Sequence, residues 1–426
     1  MIKTLKNAWS IPELRQKLIF TAMIMLLFRI GSVIPVPFVN LTTLNTYFES
    51  VLSTTVLGLY DAMSGSAFSM ATVLALGIQP YINSSIIIQL LCVAIPALER
   101  LSKEGGEEGK KKINFITRCT TVGLGLLMGI GYYAMLSSSS YQIITESGFL
   151  PALVIVLTFT AGSTVVMWLG EQITEHGVGN GISMILFANI VSRLPSGVTT
   201  IFTMLFSSYW WQALIALIGM VAIILLIIFV NDAERRIPVQ YAKRVVGRKV
   251  YGGQSTNLPI KVAMTGVMPV IFAQSIASLP ATVYAFAGWS TKDWMYTNIW
   301  SSSSAVYAIV YFLLIFFFSW FYSSIQYDPV EIANNLKKNG GFIPGFRPGK
   351  PTSDFIKKVI NKIVIFGAIY LGIVALLPIV AGNLMSNFRN LAIGGTSVII
   401  VVSVALETAK ALEAQMLMRH YKGFLD

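Results

Sequence analysis

Ten long apolar runs, separated by shorter polar segments, dominate the pattern of hydrophobic and polar positions along the chain. Each run approaches or exceeds the roughly 20 residues that a helix needs to cross about 30 Å of hydrocarbon. Helices are predicted rather than strands, because a spanning segment must satisfy its own backbone hydrogen bonds and these runs are far longer than a barrel strand. The runs cover residues 18–34, 72–95, 115–136, 151–170, 180–197, 211–230, 262–286, 304–325, 359–380 and 394–414.

The segment between the first two runs, from Pro35 to Met70, departs from this pattern. It contains no Lys or Arg, and its last part, from Tyr60 to Met70, is rich in Gly, Ser and Ala. Such a piece is too polar to span and too apolar for a comfortable exposed loop. Two interpretations stay open: a short re-entrant helix buried inside protein, or an extracellular loop folded on the surface.

Two of the runs carry stripes of uncharged polar residues. The second run holds six residues atypical of a lipid-facing span within eleven positions: Gln79, Pro80, Asn83, Ser84, Ser85 and Gln89. The seventh run places four residues at i, i+3, i+4 and i+7, which is one helix face: Ile271, Gln274, Ser275 and Ser278. Polar stripes of this kind join helices to one another or line a water path.

Composition supports a polytopic membrane protein and excludes an ordinary soluble one. Of the 426 residues 55% are apolar and only 12% are charged, about half the usual charged fraction, and the mean hydropathy is +0.69. The first run ends in "GSVIPVP" without a cleavage site and nine more runs follow, so it is predicted to be a span and not a signal peptide. Cys92 and Cys119 have no metal or redox spacing, and we expect both to be small buried hydrophobic residues.

The distribution of positive charge predicts the topology. With a cytoplasmic N-terminus, only Arg193, Lys292 and Arg389 of the 31 Lys and Arg residues fall outside and Arg29 falls within the first span, which leaves 27 on the cytoplasmic side. This skew predicts that both termini are cytoplasmic. Ten spans divide into two sets of five, and an odd number per set allows an inverted repeat.

The chain lacks the residues for several kinds of chemistry. Its two histidines, His176 and His420, lie in predicted cytoplasmic segments, so we expect neither an intramembrane Ser/His protease nor a histidine metal site. The stretch "GFRPGKPT" is too short between Gly345 and Gly349 for a phosphate loop, and Pro351 replaces its Ser or Thr. We therefore expect no enzyme, no cofactor and no metal. Few ionisable residues lie at midplane, which counts against a coupled transporter without excluding it.

A concentrated basic stretch stands out against this composition. "ERRIPVQYAKRVVGRKV", from Glu234 to Val250, contains six Lys and Arg residues within a predicted cytoplasmic loop. Positive charge that only directs membrane insertion explains why some charge lies there, but not its concentration on one loop. A site for an anionic partner is the other interpretation.

Several long motifs resemble the SecY family, which forms the pore of the bacterial protein-conducting channel. The similarity covers essentially the whole chain. It rests on "FRIGSVIPVP" (28–37), "LGIQPYINSSIIIQLL" (76–91), "GVGNGIS" (177–183), "YAKRVVGRKVYGGQSTNLPIKV" (241–262), "ANNLKKNGGFIPGFRPGKPT" (333–352) and "GGTSVIIVVSVALE" (394–407).

The resemblance implies an all-α fold of ten transmembrane helices in the cell membrane, arranged as two inverted five-helix halves, a clamshell around an hourglass pore. The halves would be residues 1–205 and 206–426, the second with cytoplasmic loops at 231–261 and 326–358. An apolar constriction ring is implied at Ile78, Ile82, Ile182, Leu186, Ile271 and Ile400, where Leu186 replaces a more usual isoleucine. A plug helix below it is implied at about 60–70, with Tyr60, Asp61, Ala62, Met63, Ser64, Gly65, Ser66, Ala67 and Phe68. A lateral gate between spans two and seven is implied at Asn83, Gln89, Gln274, Ser275 and Ser278.

The resemblance also implies partners that supply the energy: the ribosome, with its RNA phosphates, and the SecA motor. Residues matching positions that touch these partners are Lys243, Arg244, Arg248, Lys249, Arg347 and Tyr421. Small subunits similar to SecE and SecG, signal sequences, nascent chains and lipid complete the expected set. A secondary transporter with five-plus-five inverted repeats and an insertase-like scaffold without a pore are the alternatives.

Overall fold

Helices form nearly all of the regular structure in the computed structural model of the chain, which describes residues 2–48, 56–103, 105–138, 141–146, 148–207, 210–241, 244–246, 249–251, 255–264, 266–287, 294–301, 304–384 and 395–422. The helices are α1 (Ile2–Ser10), α2 (Pro12–Gly31), α3 (Leu41–Tyr47), α4 (Val56–Ser64), α5 (Gln79–Ala94), α6 (Pro96–Lys103), α7 (Gly106–Ser138), α8 (Phe149–His176), α9 (Gly181–Ser192), α10 (Leu194–Leu205), α11 (Trp210–Asp232), α12 (Met268–Phe286), α13 (Ala305–Gln326), α14 (Pro329–Lys338), α15 (Lys350–Leu384) and α16 (Gly395–Lys422). The strands are β1 (Glu234–Tyr241), β2 (Arg244–Val246), β3 (Lys249–Tyr251), β4 (Ser255–Lys261) and β5 (Gly341–Phe342).

Length and composition mark the protein as a multi-pass membrane protein. Among the described residues six helical segments are long and apolar enough to cross a bilayer, and a seventh qualifies if α5 and α6, which meet at 105°, form one span. The six are Gly106–Ser137, Phe149–His176, Gly181–Leu205, Trp210–Asp232, Ala305–Lys338 and Lys350–Gly382. The remaining three predicted spans correspond to α2, α12 and α16, which are helical but do not meet the same test.

Local sequence explains where two of the predicted spans differ from the observed helices. The second run is apolar from residue 72, yet its helix begins only at Gln79, because Gly77 has a φ of +53° and Pro80 lies in the first turn. The fifth run divides at Arg193 into α9 and α10, with Pro195 in the first turn of α10. Periodicity alone does not report either break.

The apolar interior continues from helix to helix through the centre of the molecule. Its largest cluster includes buried residues of α2, α5, α8, α9, α11, α12, α13, α15 and α16. By contrast α11 is apolar all round and exposes Leu225 and Phe229 at 62% and 75%, which is typical of a helix that faces lipid. The expectation that both cysteines are buried was wrong: Cys92 is half-buried and Cys119 is exposed on α7. A thiol is apolar enough to face lipid.

The predicted cytoplasmic loops contain a small sheet. β1 pairs with β4 antiparallel along its length, with Ile237 opposite Leu258, and β5 pairs with the other edge of β1, with Gly341 opposite Tyr241. β2 and β3 form a separate two-stranded ladder, with Val245 opposite Val250. The three-stranded sheet packs on the N-terminal part of α15 through a cluster that includes Ile237, Val239, Ile260, Ile356 and Ile360.

The backbone of α8 at Gly162 lies so close to the backbone at Val73 that a substitution of Gly162 tests this packing. A Cβ atom there would lie 1.8 Å from the carbonyl oxygen of Val73, whereas a Cβ at Gly219 of α11 would meet nothing within 4 Å. We expect Gly162→Ala to force α8 away from the turn before α5 and to lower the Tm of the detergent-solubilised protein, measured by scanning fluorimetry. Gly219→Ala is the matched control, and it should leave Tm unchanged or raise it, because Ala is favoured over Gly in a helix by about 1 kcal/mol. Equal behaviour of the two variants would contradict the packing described for α8.

Candidate functional site

Five aliphatic residues from four helices belong to the largest apolar cluster, and a sixth packs against it. They are the residues that the resemblance assigns to a constriction: Ile78 and Ile82 from the start of α5, Ile182 and Leu186 from α9, Ile271 from α12 and Ile400 from α16. Five are almost completely buried, and Ile182 is partly buried against the same cluster. The side chain of Met63, from the short helix α4, belongs to this cluster as well.

The turn between α8 and α9 brings these helices close together. Gly179 has a φ of +77°, and the Asn180 side chain caps α9 by accepting a hydrogen bond from the Ile182 N–H at 3.0 Å. A Cβ at Gly181 would lie 1.8 Å from the Gly170 carbonyl oxygen. The "GVGNGIS" motif therefore has a local physical reason: it reverses the chain within van der Waals contact of the preceding helix.

The segment between the first two long helices is buried inside the protein. Of the two interpretations open from the sequence, the structure favours the buried helix, since α4 packs against α9 and α12. Its buried residues are Tyr60, Asp61, Met63, Ser64, Gly65, Ala67 and Phe68, while Ser66 is half-buried and the side chain of Ala62 lies outside the described residues.

Aromatic rings fix one side of this segment. Phe68 stacks on Tyr132 of α7 with ring centroids 4.5 Å apart, and Tyr60 packs on Phe68 at 5.1 Å. The Tyr132 hydroxyl donates to the Phe68 carbonyl oxygen at 2.5 Å. The residues just after α4 are therefore held by packing and by a hydrogen bond from the same ring.

Polar side chains hold the other side of the segment. Asp61 accepts a hydrogen bond from the Ser69 N–H at 2.8 Å, and its second oxygen lies 3.4 Å from Nη1 of Arg193. Asn189 Nδ2 donates to the Met63 carbonyl oxygen at 2.9 Å. Sequence reasoning missed Asn189 and Arg193, which lie more than 120 residues away along the chain.

The intramembrane cation noticed in the sequence contacts the same segment. Arg29 Nη1 donates to the Gly65 carbonyl oxygen at 3.4 Å. Gly65 has a φ of +66°, and a Cβ there would lie 2.6 Å from Arg29 Nη1 and 2.9 Å from Asn189 Oδ1. Glycine is therefore required both for the backbone conformation and for the close approach of two polar side chains.

Neutral polar side chains line the contact between α5 and α12, where the resemblance implies a lateral gate. The Ser275 hydroxyl donates to Gln79 Oε1 at 3.3 Å, and Ser278 donates to the carbonyl oxygen of Ser275 at 2.9 Å. The predicted gate residues Asn83 of α5 and Gln274 of α12 each have a buried side-chain oxygen that has no hydrogen-bond partner among the described residues. Gln89 instead bonds to Ser85 and accepts from Tyr322 of α13.

The basic residues lie apart from this site, among the strands. Arg244 is in β2 and Lys249 in β3, while Lys243 and Arg248 lie outside the described residues. Arg347 is exposed between β5 and α15, and its carbonyl oxygen accepts a hydrogen bond from Thr352 at 2.8 Å. Tyr421 lies in the last turn of α16. Across the described part of the chain no three His, Cys, Asp or Glu residues are grouped as a metal site would require.

Comparison with known proteins gives consistent matches along the whole chain. A family model described as SecY matches residues 72–409, well over half of the chain. "Protein translocase subunit SecY" of Streptomyces scabiei is 42% identical over 440 residues, covering 100% of both chains. The protein of the same description from Thermotoga maritima is also 42% identical over 440 residues, covering 100% of this chain and 98% of its own.

Solved structures share the fold at much lower identity. One described as "The structure of a protein conducting channel" matches with a TM-score of 0.68 and 18% identity, covering 94% of this chain and 92% of the other. A second, "Sec61 in the Canine ribosome-channel complex from the endoplasmic reticulum", matches with a TM-score of 0.64 and 17% identity over the same shares. At this identity the likeness establishes the fold alone.

Substitution of Gly65 tests the seat of α4. We expect Gly65→Ala to displace Arg29 and Asn189 and to strain the backbone by about 1–2 kcal/mol, so that the segment leaves its seat roughly five- to thirtyfold more often. The measurement is the rate at which a water-soluble maleimide labels Ala67→Cys, a position with no exposed area, in a background with Cys92→Ser and Cys119→Ser.

Gly340→Ala is the control for this experiment. Gly340 has a comparable φ of +71°, but a Cβ there would meet nothing within 4 Å. It should therefore leave the labelling of residue 67 unchanged. If residue 67 is labelled no faster in the Gly65→Ala variant than in the Gly340→Ala variant, Gly65 does not determine the position of the segment.

Proposed function

The chain belongs to the SecY family and is a subunit of a protein-conducting channel, and from this premise we propose how its residues form and regulate the pore. The protein is not an enzyme. It passes unfolded secretory polypeptides across the membrane and releases transmembrane segments sideways into lipid. Membership of the family removes the transporter and scaffold alternatives.

The proposed architecture has ten transmembrane helices in two inverted halves, residues 1–205 and 206–426, with both termini in the cytoplasm. The proposal adds α2, α12 and α16 to the seven candidate spans. In support, these helices contain 20, 19 and 28 residues, which is near or above the length that spans hydrocarbon. The skew of 27 cytoplasmic Lys and Arg residues supports the orientation.

A single observation supports the proposed constriction: five aliphatic residues from four helices share the largest apolar cluster with Met63, and Ile182 packs against it. A pore that passes every sequence cannot bind any of them strongly. A short apolar collar meets this need, because it contacts a moving chain weakly and excludes water and ions when narrow. We therefore assign the constriction to Ile78, Ile82, Ile182, Leu186, Ile271 and Ile400.

The buried segment at 60–68 is the proposed plug, and the α5–α12 contact is the proposed lateral gate. Among the described residues α5 and α12 are joined by the long hydrogen bond between Ser275 and Gln79, and the predicted gate residues Asn83 and Gln274 have buried oxygens without partners. A neutral hydrogen bond is worth only about 0.5–1.5 kcal/mol net. An apolar signal sequence that packs between the helices can supply more than this by burying its side chains.

We assign cytoplasmic docking to the basic residues of the two loops. The exposed position of Arg347 and the paired strands β2 and β3, which carry Arg244 and Lys249, suit contact with phosphates or with a motor protein. A relative's structure is described as a ribosome-channel complex, and by analogy this chain would bind the ribosome. SecA, SecE and SecG are the further proposed partners.

The constriction is tested by replacing one ring residue with a polar one. We expect Ile400→Asn to raise the resting ion conductance of reconstituted channels, because it removes about 1.5–3 kcal/mol of apolar burial from the closed state, a shift of roughly tenfold or more. It should also export a reporter whose signal sequence is defective. Planar-bilayer recording and export assays measure the two effects.

Ile365→Asn is the control for the ring experiment, since Ile365 of α15 is 47% exposed and lies outside the cluster. It should lower expression and leave resting conductance at the wild-type level. A folded, abundant Ile400→Asn protein with wild-type conductance and wild-type signal stringency would show that Ile400 does not line the pore.

The docking loop is tested by the salt dependence of ribosome binding. Replacing Lys243, Arg244, Arg248 and Lys249 together with Ala should weaken binding and flatten the plot of log affinity against log salt by about three, since each lost phosphate contact removes about 0.7–0.9 from the slope. Replacing Lys110, Lys111 and Lys112 with Ala is the control for charge lost elsewhere in the predicted cytoplasmic segments. Equal slopes for the wild type and the loop variant would mean that the loop only directs membrane insertion.

A further inference from the structure

The position of Arg193 needs an explanation that charge patterning does not supply. Arg193 is one of the few cations that the sequence leaves off the predicted cytoplasmic side, and it stands between α9 and α10. A cation suits the C-terminal end of a helix such as α9. That effect does not account for a buried carboxylate directed at it: the Asp61 side chain is 2% exposed and the Arg193 side chain 25%.

The Asp61 carboxylate has one partner within the proposed plug and one partner outside it. The Ser69 N–H belongs to the same segment as Asp61 and stays bonded to it in any rigid movement. Arg193 belongs to the helix frame, as does Asn189, whose Nδ2 holds the Met63 carbonyl oxygen. Arg193 is the C-cap residue of α9, four positions after Asn189, so the end of one helix presents both donors to the plug.

We propose that the Asp61–Arg193 ion pair is a latch that holds the plug closed and makes Arg193 a residue that sets signal-sequence stringency. This inference rests on the proposed function of segment 60–68 as the plug. A signal sequence opens the channel only if its binding exceeds the free energy that keeps the plug seated. The latch contributes to that threshold, so its strength determines which signal sequences succeed.

The unequal burial of the two partners predicts an unequal response to mutation. R193Q leaves a buried carboxylate without its cation, which is strongly unfavourable, and the plug escapes by carrying Asp61 into water. D61N leaves Arg193 partly in water, where it is solvated, and Asn keeps an oxygen that can accept the Ser69 N–H. In the double variant neither partner of the pair carries a charge.

The experiment compares R193Q, D61N and D61N/R193Q in the full-length chain, co-expressed with its small subunits and reconstituted. We expect R193Q to raise resting ion conductance and export of a signal-defective reporter by about tenfold or more. D61N should raise both by no more than about threefold, and D61N/R193Q should return to the D61N level. R193K, which keeps the charge, should remain near wild type. The latch is wrong if R193Q has wild-type conductance and export, or if D61N/R193Q shows conductance and export as high as those of R193Q.

Poor folding does not remove the test. If R193Q fails to accumulate, recovery of abundance in D61N/R193Q still supports the pairing, and failure of the double variant to recover overturns it. Deleting residues 56–70 tests the plug separately. If the deletion raises resting conductance and R193Q does not, the latch is wrong and the plug assignment stands. If the deletion leaves resting conductance at the wild-type level, both the plug assignment and the latch are wrong.

Discussion

The structure depends on one constraint, which is that a helix ending inside the protein at membrane depth leaves carbonyl groups that water cannot satisfy. Helix α4 ends in this way at Ser64. Side chains from three different helices donate hydrogen bonds to carbonyl oxygens at or after the end of α4: Arg29 to Gly65, Asn189 to Met63 and Tyr132 to Phe68. The polar residues that look out of place in apolar spans are therefore the ones that allow the buried segment to exist.

Helix α4 is held by two kinds of contact, apolar packing and hydrogen bonds. The Met63 side chain enters the apolar cluster, while its carbonyl oxygen takes the hydrogen bond from Asn189. Apolar burial gives stability without direction, and hydrogen bonds to fixed donors give a unique position. Met63 is held in both ways, so it is buried and also occupies one defined position.

Sequence predicted the elements of this fold better than it predicted their contacts. Apolar runs of sufficient length located every long helix, since membrane insertion requires them. They could not show that the second helix begins at Gln79, because that start depends on the φ of Gly77. Periodicity also could not distinguish Ile82, in the central cluster, from Ile87, which is 40% exposed on the same helix; the ring assignment rested on resemblance.

Long-range polar pairs were the least predictable part of the site. Asp61 and Arg193 are separated by five helices along the chain, α5 to α9, and nothing in either local sequence indicates the other. The five strands among the described residues were also absent from the sequence expectations, which predicted an all-α protein. Strand pairing in β1 and β4 depends on partners about twenty residues apart, which the local sequence of either strand does not identify.

The pairing of β5 with β1 has a mechanical consequence. It ties the loop that follows α11 to the loop that precedes α15, and the joined strands rest on α15, a helix of 35 residues that runs for about 50 Å. A displacement of either loop therefore acts on the same helix, α15. Helix α15 contains one of the candidate membrane spans, Lys350–Gly382, so both loops are coupled to the same span.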